Sequence, residues 1–538
     1  SPHPLQHLIR FFPFNKKEHP PLTCNSEYVY SKQTVQGISE ILASDYLSTG
    51  DVDFTPRYVA RIQKVTADEV QQVAKKYFQF DKMVITRMVP ASWQKSISTE
   101  GKNAQQPITR VFTLPNGLRV ILHSLANPHA KPTTAELVSM AFVARGGVLM
   151  ENEKNNGIGA LMTALSIRGA GKYSASQIDE FFDSAGGSIS GNCGNNSFYW
   201  QATLLNDKLD KALDIFAQVI QKPRFDPKEL EKIRPIQIEK IKQTDEHWLT
   251  HLIKVFRKKF FISSPYRLMP SGSLEVVKSL TAKQLADYHK RVIKAGSSVL
   301  AVYGSFDVEN VKSQIEKLFA DLPKGKVEIP PSTARKVNPA GELYVIPTHN
   351  VQAGIIVAAP SIPATNIADR LPLTVLDTII SGYRLPSGWL HEELRGKQLV
   401  YVVHAYNWGG FLPGAFITYA GCQPEKAKQV VEIIKRNLDK ASRYLPTKDQ
   451  IDAAVNTILT ADALESQSLS SQAMDAALNE LYGLGWDFRN KMAKLYRKIT
   501  PADVQRVAQK YLGRGYVIVI TTPKADILSK ANNKYRRR

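Results

Sequence analysis

Lys64-Val-Thr-Ala-Asp-Glu-Val-Gln-Gln-Val-Ala-Lys-Lys-Tyr77 matches Lys498-Ile-Thr-Pro-Ala-Asp-Val-Gln-Arg-Val-Ala-Gln-Lys-Tyr511 at 8 of 14 positions. A weaker third copy, Leu280-Thr-Ala-Lys-Gln-Leu-Ala-Asp-Tyr288, lies between them, with spacings of 215 and 219 residues. Such a period is a domain length, far beyond any solenoid repeat, so the chain must build several modules of one kind, each with its own core. Each copy opens on a threonine, Thr66, Thr281 or Thr500, whose hydroxyl suits a helix N-cap. Each helix is predicted to run into a short β-branched strand, at Met83–Thr86, Val299–Tyr303 and Tyr516–Thr521.

Composition allows this. The 538 residues are 43% hydrophobic and 22% charged, as in a globular protein. No apolar run reaches the roughly 18–20 residues that cross a bilayer. Ser1–Arg10 lacks the order of a secretory signal, and since the first residue is Ser, the natural start and any targeting segment are expected upstream. The sequence specifies no compartment. Three cysteines, Cys24, Cys193 and Cys422, are too few and too scattered for a disulfide framework or a CxxC site. The net charge of +21 favours anionic partners or acidic peptides. The basic residues lack the grammar of nucleic-acid modules, only Lys534–Arg538 being dense, so no nucleic-acid partner is expected.

Asn116-Gly117, flanked by alternating apolar residues in Phe112–Leu122, predicts a hairpin that starts a module. Leu209, Ala212, Leu213, Phe216, Val219 and Ile220 share one helical face, as do Val430, Ile434 and Leu438; both faces are read as core. The expected organisation is the end of a preceding module (1–90), a linker (91–107), a full module (108–321), a Pro-rich linker (322–340), a second full module (341–524) and a basic tail (525–538). The fold class is α+β, with helices on one face of a mainly antiparallel sheet in each module.

The segments Phe112–Leu122, Phe142-Val-Ala-Arg-Gly-Gly-Val-Leu-Met150, Ser184–Asn192, Leu209–Asp214 and Pro223–Glu231 follow one another as in a known family. By them the chain resembles the insulinase, pitrilysin and mitochondrial processing peptidase family of zinc metallopeptidases. Active members carry His-x-x-Glu-His, in which two histidines one helical turn apart hold zinc and the Glu activates water, with a Glu far downstream as third ligand. Here Asn156-Gly-Ile-Gly-Ala-Leu-Met-Thr-Ala-Leu-Ser-Ile-Arg-Gly169 falls on that motif. By that alignment the histidine positions are Ala160 and Ala164, the catalytic Glu position is Thr163, and the third-ligand position is Glu239, which alone makes no zinc site and is read as an ordinary helix-surface Glu. The resemblance therefore implies no zinc and no catalytic residue in this chain, with zinc in an active module upstream in the same polypeptide or in a partner.

Two-unit members form a clamshell of four modules, the fourth supplying an Arg and a Tyr that bind substrate at the zinc of the first. Leu394-Arg-Gly-Lys-Gln-Leu-Val-Tyr401 resembles that segment, with one residue fewer between Arg395 and Tyr401 than the usual pattern. The resemblance implies a non-catalytic C-terminal half that helps enclose unfolded peptides. Its alternative is a scaffold subunit with no part in proteolysis. Asn407-Trp-Gly-Gly-Phe-Leu-Pro-Gly414 reads as a hairpin turn or a substrate-contacting loop. His247 and His251 stand at metal spacing but lack the surrounding motif; His391-Glu392 begins like a zinc motif, yet its fifth residue is Arg395, and an exposed helix turn is expected. Gly169-Ala-Gly171 and Gly186-Gly187 lack the surroundings of a phosphate loop.

Overall fold

The computed structural model describes residues 35–62, 64–78, 107–125, 137–383 and 385–524. The expected strand Met83–Thr86, most of the first linker, Cys24 and the basic tail lie outside them. The chain forms two compact units, Ser1–Ala104 and Gln105–Arg538.

In the first unit the helices Val35–Thr49, Phe54–Ile62 and Ala67–Tyr77 follow one another. Buried Asp45 accepts from the backbone N–H and hydroxyl of Thr55 at 2.8 and 2.6 Å, tying the first helix to the second. Thr66 caps the third in a reciprocal box with Glu69.

The second unit holds two sheets. The first contains β1 (Ile108–Thr113), β2 (Arg119–Ser124), β3 (Leu137–Arg145), β4 (Ser188–Cys193), β5 (Ser197–Leu205) and β6 (Ser298–Gly304), in the order β1-β2-β6-β3-β5-β4. The second contains β7 (Glu342–Pro347), β8 (Ala353–Pro360), β9 (Val402–Trp408), β10 (Ala415–Cys422) and β11 (Val517–Thr522), in the order β7-β11-β8-β10-β9. From β2 onward the two orders coincide in sense as well: β2–β6 and β7–β11 are parallel, and the remaining pairs are antiparallel. The strands that end in these parallel pairs each follow a threonine-capped helix, Ala282–Val292 and Pro501–Tyr511, both with capping boxes.

Asn116-Gly117 does form the β1–β2 hairpin, though not as a two-residue turn. Leu114 and Leu118 close a longer loop (2.8 Å), Gly117 is left-handed (φ 98°), and the Asn116 amide donates to the Phe319 carbonyl at 2.7 Å. The helices Leu209–Gln221 and Ala427–Ala441 bury the faces expected of them, each against its own sheet.

The sheets are not left bare on their other faces. The helix Leu469–Leu481, from the second half, lies on β3 and β6 of the first sheet. There Ala473, Ala476, Ala477 and Leu481 pack on Ile121, Ala141, Val143, Val299, Ala301 and Tyr303. In return the helix Trp248–Phe260, from the first half, lies on β8 and β11. A Cβ at Gly354 of β8 would stand 3.2 Å from both Trp248 and Leu252, so glycine makes room for that helix. Each half thus covers its neighbour's sheet. Strands sandwiched in this way are buried on both faces and read as continuous apolar runs, as β6 and β11 do. The Pro-rich segment 322–340 is bonded along its course: Val327 N–H donates to Ser297 at 2.7 Å, and Arg335 reaches the Phe260 carbonyl (3.1 Å) and Glu342.

Candidate functional site

The helix Ile158–Ser166 starts from left-handed Gly157 and has no side-chain N-cap of its own. Its orphan donors go instead to buried Glu151, which accepts from Gly157 N (2.9 Å), Gly159 N (3.0 Å) and the Asn156 amide (2.8 Å). Burial outweighs these donors and pushes the carboxyl up to about 7. A side chain at Gly159 would strike Phe198, Cys193 and Glu151.

One face of this helix, Ala160, Thr163 and Ala164, borders a cavity of about 320 Å³. β4 closes it with Gly191, Asn192 and Cys193; the helix Pro227–Glu246 with Gln237, Lys240 and Thr244; and Met269–Ser271 complete the wall. Strand and helix approach closely, since a Cβ on Gly191 would stand 2.3 Å from the Thr163 carbonyl. Thr163 is wholly buried, and its hydroxyl donates back to the Gly159 and Ala160 carbonyls at 3.0 and 3.1 Å. The Cys193 thiol is pushed well up by burial and by neighbouring Glu151, and so stays protonated.

Glu239 is not in the cavity. It faces solvent, 3.9 Å from the Lys242 ammonium, with more than half of each side chain exposed. Helical geometry explains this: Gln237, Lys240 and Thr244 share the cavity face, and one residue of offset rotates a side chain by about 100°. Lys240 was not singled out by the sequence reading; the i, i+3, i+7 pattern of the helix was the available signal. Two alanines, a threonine whose hydroxyl is already used and a lysine do not fit zinc, which needs His, Cys or carboxylate donors. Among the described residues no three His, Cys, Asp or Glu side chains gather closely enough to hold a metal.

Arg395 and Tyr401 lie at the entry to β9 and have different neighbours. A π-helical turn, His391–Arg395, leads into left-handed Gln398 (φ 55°), where the segment is one residue short. Arg395 is exposed. It adds to the forces that lower His391 and His404, both depressed first by burial and His391 to about 4, so both imidazoles are neutral beside the guanidinium. The two rings pack edge to face at 5.1 Å, with Tyr419 beyond at 5.8 Å from His404. The expected exposed turn at His391 is therefore corrected: it is buried by its contact with His404. Tyr401 is half-buried, donates its N–H to the Gly421 carbonyl (2.8 Å), and bonds Gln423 through its side chain. Burial raises its phenol, which remains a donor.

The loop Asn407–Gly414 is the β9–β10 hairpin, and it fastens the two halves together. Asn196 accepts from Phe411 N (3.1 Å), the Tyr266 hydroxyl accepts from Leu412 N (3.2 Å), and the Arg145 guanidinium lies over the Phe411 ring at 5.0 Å. A Cβ at Gly410 would collide with Asn196 and Tyr266. His247 sits at the junction of two helices rather than within one, and His251 lies 3.5 Å from Asp245.

Comparison with known proteins agrees with this geometry. Residues 129–267 match the model of the insulinase family (peptidase family M16), and residues 279–458 match that of the peptidase M16 inactive domain. An uncharacterized zinc protease of Streptomyces coelicolor is 25% identical over 424 residues, covering 78% of this chain and 90% of that protein. A probable mitochondrial-processing peptidase subunit beta of Arabidopsis thaliana is 26% identical over 454 residues, covering 80% and 81%. Among solved structures, a peptidase M16 inactive domain from Pseudomonas fluorescens superposes with a TM-score of 0.69 at 18% identity, covering 77% of this chain and 98% of that one. A protease from Helicobacter pylori gives 0.68 at 19% identity, covering 78% and 100%. The chain belongs to the insulinase, or M16, peptidase family and resembles the zinc-motif-lacking, C-terminal part of a two-unit member. No helix among the described residues is long and apolar enough to cross a membrane.

Proposed function

We propose that this chain is the non-catalytic C-terminal half of a zinc metalloendopeptidase. It forms part of the peptide-binding chamber and supports hydrolysis at zinc held by another module, upstream or in a partner chain. The observation that supports this reading is the cavity bordered by Ala160, Thr163, Ala164 and Lys240, side chains that supply no zinc ligand, on the helix that the resemblance aligns with the zinc motif. Arg395 and Tyr401 supply what a chamber needs in addition: an exposed guanidinium and a protonated phenol, each able to donate to a peptide carbonyl or to the oxyanion formed during attack. The net charge of +21 draws acidic peptides toward it.

The test is zinc content and peptidase activity of the chain alone and after joining to a zinc-bearing family module. Zinc and activity only in the joined protein, with turnover cut at least tenfold by Tyr401→Phe, is the expected result. A joined protein that binds zinc and cleaves at the same rate with Tyr401→Phe and Arg395→Ala would instead assign the chain a scaffold role.

A further inference from the structure

Among the described residues, twelve of the 21 large apolar side chains left exposed fall within residues 38–78. All but Val52, Val65 and Phe78 lie on helices, and the second unit contains the counterparts of those helices. The match of Lys64–Tyr77 to Lys498–Tyr511 fixes an offset of 434 residues, and helix boundaries keep it. Phe54–Ile62 answers Phe488–Tyr496, Ala67–Tyr77 answers Pro501–Tyr511, and Val35 opens its helix where Leu469 opens the helix that crosses to the first sheet.

At that offset, the four residues buried in the crossing, Ala473, Ala476, Ala477 and Leu481, correspond to Ser39, Leu42, Ala43 and Leu47. The set has the same small-and-leucine character on the same helical face. Here Leu42 is 43% and Leu47 85% exposed. Val70 and Val73 repeat the pattern: their counterparts Val504 and Val507 are fully buried in the second sheet's core. Within the second unit both crossing seats are already filled, by Leu469–Leu481 on β3 and β6 and by Trp248–Phe260 on β8 and β11.

We infer that Val35–Thr49 is a crossing helix whose Ser39, Leu42, Ala43 and Leu47 face covers the open sheet of a further module of this fold. That partner surface is the middle of an uncharged sheet rich in Ala and Val, as the face formed by Ala141, Val143, Val299 and Ala301 is. The inference rests on the reading that a zinc-bearing module accompanies this chain, and it names the contact between them.

Two experiments on the full chain decide it. In the first, residues 35–47 replace 469–481 position for position. The graft should keep its thermal midpoint within about 5 °C and retain slow amide exchange at Ala141–Val143 and Val299–Ala301. The same graft carrying aspartate at the positions of Leu42 and Leu47 should lose that protection. A graft that exchanges as fast as its aspartate version would overturn the inference. In the second, Leu42→Asp with Leu47→Asp is made at the native site and co-expressed with the zinc-bearing module. The lone chain should melt unchanged, and its affinity for the module should fall at least tenfold. Wild-type affinity, or loss of a homodimer in its place, would overturn the inference. If no zinc-bearing module restores activity, the functional reading fails while the graft result still stands.

Discussion

The helices at 35–77 and at 469–511 start at matching positions, and the last of each set is alike in sequence and in its capping box, yet they live in opposite surroundings. Val504, Val507 and Ala477 are fully buried, whereas Val70, Val73 and Ala43 face solvent. Helices this short draw most of their stability from packing an apolar face, so the exposed apolar residues on the first set mark a face that needs a partner surface. The same pattern stabilises one region and leaves the other awaiting a surface.

That contrast is broken most severely by charge. Leu481→Asp should cost more than about 4 kcal/mol, because it buries a carboxylate against β3 and β6; Leu47→Asp should change urea stability by no more than about 0.5 kcal/mol. Equal effects would show that the two helices are in equivalent environments after all. The reciprocal crossing comes next: Trp248→Ala removes a buried indole from Gly354 and Gly421 and should cost about 3–5 kcal/mol by the same assay. Val507→Ala should cost about 2 kcal/mol, and Val73→Ala a few tenths, which denaturant midpoints will separate.

A further effect is one of slope. Asp377 is fully enclosed in the second core, and its carboxyl is pushed up to about 8, chiefly by burial, with the Ser381 hydroxyl (2.8 Å) opposing. Folded chains then hold this proton from about pH 4 to 8 while unfolded ones release it, so the group's contribution falls as pH rises through that window. Asp377→Asn should gain on the wild type between pH 5 and 9, measured by urea midpoints. A constant difference would place the carboxyl in contact with water.

What the sequence made legible was local. Thr66, Thr281 and Thr500 each cap a helix, and the Leu209–Ile220 and Val430–Leu438 faces are core, because such features depend on neighbours three or four residues away. The crossing was not legible. Ala473, Ala476 and Ala477 have the spacing of any buried helix face, and nothing in that spacing says whose sheet lies beneath. Glu239, aligned with the third-ligand position and read as a helix-surface Glu, does face solvent; that Lys240, one step along the helix, lines the cavity was not read from the sequence. Asp377 reads like any helical aspartate until the packing that encloses it is known. Before β9, the π-helical turn His391–Arg395 and left-handed Gln398 were not legible either; the sequence marked the stretch only by His391-Glu392 and by one residue too few after Arg395.

The crossing also sets a timetable. β6 leaves the ribosome at residue 304, but the helix that shelters its outer face ends at residue 481. At roughly 5–20 residues per second, the nascent chain carries that Ala- and Val-rich strip uncovered for about 10–35 s. During that interval the strip is transiently exposed apolar surface of the kind that makes partly folded chains prone to aggregate.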